Sequence, residues 1–156
     1  MADLFAPATP AEVSARRRSW IQDWDRQMEA FRNREDVFQR GDGSFDVRGN
    51  VEDLGSKDFN RFRRLALRYA TVLGDFSCNG SFRSLMGAPR IICGNFRFHG
   101  DLKSLMGFPK EVWGNIELIN HPHHKDEQDA IRWTEADIRN ICDVRGTLTV
   151  ENHSGI

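Results

Sequence analysis

From residue 74 onward, apolar and polar positions alternate in a pattern that recurs every 20 residues. Gly74-Asp75-Phe76 returns as Gly94-Asn95-Phe96 and as Gly114-Asn115-Ile116, and Ser84-Leu85-Met86-Gly87-Ala88-Pro89 returns as Ser104-Leu105-Met106-Gly107-Phe108-Pro109. Two looser copies flank these, one starting at Gly43-Ser44-Phe45-Asp46-Val47 and one at Gly146-Thr147-Leu148-Thr149-Val150, which makes five glycine-led units. Two residues after each glycine stand Phe45, Phe76, Phe96, Ile116 and Leu148. Four after stand Val47, Cys78, Phe98, Leu118 and Val150. Two before the last four glycines stand Val72, Ile92, Val112 and Val144. All fourteen are apolar in a chain that is 39% apolar, so these columns are expected to point inward from strands. Phe82, Leu102, Leu85 and Leu105 complete each coil's core, and the Gly-x-Pro turns send the chain back. Units of this length cannot bury an apolar face alone and must stack. The strands are therefore expected to be parallel.

The glycines all lie at position 41 or later, so residues 1–41 are expected to differ in kind. Thr9-Pro10-Ala11-Glu12 has the form of a helix start, with a cap, a proline in the first turn and a capping box. Val13, Trp20, Ile21, Trp24, Met28 and Phe31 follow at helical spacing, which predicts a helix from Pro10 to about Gln39, broken near Asn33, that covers the first unit. Two insertions interrupt the repeats at 56–70 and 122–143. In the first, Ser56 is a cap, and Phe59, Phe62, Leu65 and Ala66 share a helical face. Lys57, Arg61, Arg63, Arg64 and Arg68 lie largely outside that face. The second is acidic. Thr134-Glu135-Ala136-Asp137 predicts a capped helix from Glu135 to Cys142, stapled by Trp133 and Ile138.

The unit G-[DN]-F-x5-L-x-S-L-x-G-x-P-x-x-[IV]-x-G resembles the short leucine-rich-repeat-like units of many bacteriophage-encoded proteins, clearly from Gly74 to Asn120 and loosely at 43–54 and 144–152. It departs from the ordinary leucine-rich consensus, with phenylalanine in the strand and no asparagine ladder at the expected place. The expected fold is an α/β repeat. It is a short right-handed β-solenoid of about five parallel strands, with a helical cap at 1–41 and the solenoid at 42–156, in one compact domain. The resemblance implies a phage or prophage origin and an interaction surface rather than a shared chemistry.

Composition narrows the function. The 156 residues suit one domain with a real core. Lys plus Arg total 22 and Asp plus Glu 23, a net charge of −1, so wholesale electrostatic binding of nucleic acid is not expected. No run reaches a membrane span, and MADLFAPATP has no signal-peptide character, so a cytoplasmic protein is expected. Cys78, Cys93 and Cys142 read as free thiols. His121, His123 and His124, with His153 in register with His121, are the one metal-like cluster. They lack a fixed ligand spacing, so no metal or other cofactor is expected. No nucleophile has a positioned base, so no enzyme and no catalytic residue are expected.

The outward strand positions form the expected working surface. Arg97, His99, Trp113, Glu117 and Ile119 near its centre are the candidate partner-binding residues. The reading is a non-enzymatic protein-binding module, a phage accessory protein that binds and inhibits a host factor. The alternative is a nucleic-acid-associated protein using the basic insertion. The chain is expected to be a monomer, or a weak homodimer through the C-terminal edge strand.

Overall fold

A computed structural model describes residues 26, 28–31, 33–57, 62–121 and 131–153. It is an α/β fold with mostly parallel strands in two sheets and very few helices. The first sheet runs in the order β1 (Val37–Gln39), β2 (Phe45–Val47), β6 (Tyr69–Val72), β8 (Ile91–Ile92), β10 (Glu111–Val112), β12 (Asp143–Val144). The second runs β13 (Leu148–Asn152), β11 (Ile116–Asn120), β9 (Phe96–Leu102), β7 (Phe76–Phe82), β5 (Arg63–Arg64), β4 (Ser56–Lys57), with β3 (Val51–Asp53) also beside β7. Each 20-residue unit thus lays one short strand in the first sheet and one longer strand in the second. Among the described residues only β1–β2 and β4–β5 pair antiparallel.

The register follows the repeat. Ile92 pairs Val112 and Val144 follows, while Phe76, Phe96, Ile116 and Leu148 lie side by side in the second sheet. Of the three inward columns, every member of the units at 74, 94 and 114 is 0–1% exposed. Stacked apolar columns of this kind are what hold neighbouring units together. Phe76 and Phe96 stack at 6.0 Å, and Phe82 meets Phe98 edge-on at 5.8 Å.

The corner between the sheets has its own ladder. Gly94 N–H donates to the Gly74 carbonyl at 3.0 Å, Gly114 to Gly94 at 3.0 Å, and Gly146 to Gly114 at 3.0 Å. Beside it the Asn50 carboxamide accepts from Asp75 N–H, Asp75 from Asn95, Asn95 from Asn115, and Asn115 from Thr147, all at 2.7–2.8 Å. An amide ladder is therefore present, at a place other than the one the leucine-rich consensus would give it. A Cβ on Gly94 would sit 2.5 Å from the Gly74 oxygen, so the corner needs glycine for close approach.

Four expectations are corrected. The first unit is led by Gly49, with Asn50 making the corner bond; Val51 pairs Phe76 and Asp53 pairs Cys78. Phe45 and Val47 are buried as expected, but in the first sheet, where Val47 pairs Val72. Second, the helix does not reach Gln39. Helical backbone covers Arg26 and Met28–Phe31; Val37–Gln39 is a strand turned back onto β2. No capping helix is evident among the described residues, although Met28 and Phe31 are buried and Phe31 packs edge-on to Phe45 at 5.0 Å. Val13, Trp20, Ile21 and Trp24 lie outside those residues.

Third, the insertion at 56–70 is not helical where it is described; β4 and β5 form a hairpin there. The reason is Asp53. Its carboxylate, 3% exposed, accepts from Gly55 N–H at 2.7 Å, Ala66 N–H at 3.1 Å and Tyr69 O–H at 2.7 Å. A buried carboxylate must be satisfied, and meeting these donors draws Leu65–Leu67 under the core as a bend between β5 and β6. Fourth, α1 (Glu135–Arg139) has the expected capping box of Thr134 with Asp137 and buries Ile138, but it ends at the Asn140 cap, short of Cys142. Positions 122–130 lie outside the described residues. No helix among those described is long and apolar enough to cross a membrane.

Candidate functional site

The glycine corner divides the expected partner surface in two. Arg97, His99, Glu117 and Ile119 belong to β9 and β11 in the second sheet, whereas Trp113 directly follows β10 in the first. On the second sheet, Glu117 lies 3.2 Å from Arg97 Nε and 3.3 Å from His99 Nε2. With Ser77 and Thr149 in the same column, this is a polar face whose charges answer one another. Ile119 is 8% exposed and offers no surface.

The outer face of the first sheet is different. Strand alternation turns Val47, Val72, Ile92, Val112 and Val144 inward, so the residue after each turns outward. That column is Arg48, Leu73, Cys93, Trp113 and Arg145, joined rung to rung by backbone bonds of 2.8–3.0 Å. Arg48 thus stands beside Leu73. Leu73 is 50% exposed and Trp113 49%, and the Cys93 thiol is exposed between them. Phe38, 53% exposed, stands on the same face opposite Asp46. A guanidinium covers the aromatic ring at each end. Arg48 lies 5.2 Å from the Phe38 centroid and Arg145 lies 3.7 Å from that of Trp113. Arg145 is held there by Glu111 at 2.9 Å. Cation–π stacking with a fixed counter-ion presents the tryptophan in one orientation. The neighbouring outward column, Asp46, Thr71, Ile91, Glu111 and Asp143, continues into a groove of about 920 Å³ that also takes in Arg68, Arg90 and Lys110.

Phe38, Arg48, Ile91, Arg90 and Lys110 were not among the expected site residues. The signal for Phe38, Arg48 and Ile91 is the position before or after each inward valine or isoleucine, and for Arg90 and Lys110 the position two before, just ahead of the short strand; both become readable once that strand is given a sheet of its own.

Among the described residues, Arg63 and Arg68 of the basic insertion reach to different parts of the chain. Arg63 Nη1 donates to the Leu54 carbonyl at 2.8 Å, and Arg68 Nη2 to the Asp42 carbonyl at 2.9 Å on the first-sheet side. Arg64 lies on β5 and Lys57 on β4, while Arg61 falls outside the described residues. His121 and His153 stack with ring centroids 4.8 Å apart, as their shared register requires, and His153 Nε2 lies 3.1 Å from Glu151. His123 and His124 lie outside the described residues. Burial pushes the Cys78 thiol up and Cys142 up to about 11, so neither is a ready nucleophile. Burial also pushes the Tyr69 phenol up, with the Asp53 charge adding to it.

Compared with protein-family models, curated proteins and solved structures, the chain matches none.

Proposed function

We propose that the chain is a non-enzymatic protein-binding module. Its two sheets form a short right-handed β-solenoid of leucine-rich-repeat type that binds through the outer face of the first sheet. One observation supports this above others: Phe38, Leu73 and Trp113 stand half exposed on the outer face of the first sheet, with an arginine stacked at each end. Folding asks nothing apolar of outward positions. Aromatic and arginine side chains at the centre of a water-excluding patch are the residues that dominate interface energies. The resemblance to phage-encoded repeat proteins makes a protein of the bacterial host, acting in its cytoplasm, the natural partner, and inhibition the natural consequence. Nucleic acid is the weaker reading, because Arg63 and Arg68 are already engaged with backbone carbonyls.

The test is affinity capture from bacterial lysate, read by mass spectrometry, with wild type, L73R/W113R and R97A/E117A as baits. A protein held by wild type and by R97A/E117A but lost on L73R/W113R is the expected result. Loss on R97A/E117A alone would return the site to the second sheet. Wild type and L73R/W113R retaining the same proteins would refute a role for this face.

A further inference from the structure

We infer that the groove beside the exposed row binds an acidic, extended segment of the partner protein, with Arg90 and Lys110 holding its carboxylates. This rests on the reading of the first-sheet face as the binding surface and names what that face recognises.

The groove crosses β6, β8, β10 and β12, touching Thr71, Ile91, Glu111 and Asp143 in turn. Three rung steps of about 4.8 Å make it about 14 Å long, the span of roughly four residues of extended chain. Its charges are unequally committed. Asp42 is taken by Ser44 at 2.6 Å, Asp46 by Arg40 at 2.8 Å and Glu111 by Arg145 at 2.9 Å. Asp143 lies 3.9 Å from Arg145. Arg68 lies 3.9 Å from Asp42, so each of these acids has a cation beside it that is neither Arg90 nor Lys110. Those two side chains are exposed and make no ion pair with any described residue. They sit on adjacent rungs, where the Lys110 N–H donates to the Arg90 carbonyl at 2.8 Å. The groove and the ion pairs at its edge therefore hold one more cation than acids, and Arg90 and Lys110 are the two cations of the lining that no described acid pairs with. Their rungs lie about 4.8 Å apart, and two long side chains can spread from there to meet carboxylates about 7 Å apart at alternate residues on one side of an extended segment.

The apolar surroundings choose between acidic polymers. Ile91 lies between the cations and the Leu73–Trp113 row, so a segment with acids on one side and apolar side chains on the other fits both columns. A nucleic-acid backbone carries a phosphate at every step and has no aliphatic side chain to set against Ile91 and Leu73.

The probe is a fluorescein-labelled octapeptide, Ser-Glu-Leu-Glu-Ile-Glu-Val-Ser, followed by anisotropy at 50 and 200 mM salt. Its lysine-for-glutamate counterpart and a mixed-sequence 20-nucleotide single strand serve as comparisons. The acidic peptide is expected to bind, more weakly at the higher salt. R90E/K110E should lose at least tenfold in affinity, and R97E, on the other sheet, should stay within twofold. R90Q/K110Q, with its melting curve checked against wild type, separates loss of binding from loss of fold. No binding of the acidic peptide to wild type would overturn the inference. So would equal binding by R90Q/K110Q, or tighter binding of the DNA strand. If the peptide is ignored while a captured partner is still lost on L73R/W113R, this inference alone fails. If L73R/W113R keeps the partner, the reading beneath it fails.

Discussion

Gly94→Ala isolates the contact that sets the spacing of the stack. Gly94 is not at positive φ, so alanine meets no conformational penalty there. Its Cβ would instead stand 2.5 Å from the Gly74 carbonyl oxygen and closer still to the Asp75 carboxylate. Reaching an ordinary contact means moving the two rungs apart by about 0.7–1 Å at this corner. The Gly94–Gly74 bond, now 3.0 Å, and the Asn95–Asp75 bond, now 2.7 Å, would both be broken. Two bonds at about 1 kcal/mol each, plus loosened packing of Ile92 and Phe96, give about 3–5 kcal/mol. At about 2–4 °C per kcal/mol for a chain of this size, the melting temperature should fall by roughly 6–20 °C. Gly41→Ala is the control, since a Cβ there meets nothing within 4 Å. Thermal unfolding followed by circular dichroism at 218 nm reads both. A Gly94→Ala protein melting within 2 °C of wild type, or no lower than Gly41→Ala, would refute the close-approach argument.

Asp53→Ala strands the buried N–H groups of Gly55 and Ala66 and the Tyr69 hydroxyl. It should cost about 3 kcal/mol or more in urea unfolding, against about 1 kcal/mol for Tyr69→Phe, which leaves the amide bonds in place. Native protein should react at one thiol with Ellman's reagent and denatured protein at three, and Cys93→Ser should abolish the native reaction. Arg34 forks onto Asp36 at 2.8 and 2.9 Å and holds its carboxyl below the usual range. The stabilisation is then complete above the unfolded value of about 4 and lost as pH falls through the lower folded value, so Asp36→Asn should flatten the decline in melting temperature below about pH 4.

The central units were legible because one rung dictates the next. A 20-residue period with apolar residues at fixed offsets from glycine leaves few other ways to bury them. The first unit was misread because two frames compete there. Gly43-Ser44-Phe45-Asp46-Val47 keeps the apolar columns, whereas Gly49-Asn50-Val51-Glu52-Asp53 puts a carboxylate in one. The second frame holds only because Ala66 and Tyr69, distant in the chain, supply its donors. The same contacts defeat the helical spacing of Phe62, Leu65 and Ala66. A local pattern cannot show a demand that arises thirteen residues away. On the surface, alternation placed residues on strands, but the chain turns sharply at each glycine. Trp113, just before one corner, and Arg97, just after another, therefore face different ways.

That turn also decides which face matters. The inward columns are explained by folding alone, so they say nothing of a partner. The outward columns are free of that demand, and the two sheets use the freedom differently. On the second, Ser77, Arg97, Glu117 and Thr149 are what water favours on a sheet, and opposite charges in one column bond across the rungs. On the first, Leu73, Ile91 and Trp113 cost hydration and give the fold little in return, since an exposed cation–π stack contributes about 0.5–1 kcal/mol. The first sheet also leaves Arg90 and Lys110 without an ion pair among the described residues, although Glu111 and Asp143 stand on the same and the next strand. Exposed apolar surface and unanswered charge on the same strands are both relieved by one event, the arrival of an acidic, partly apolar chain. On the second sheet the charges of the column Arg97 and Glu117 already answer one another.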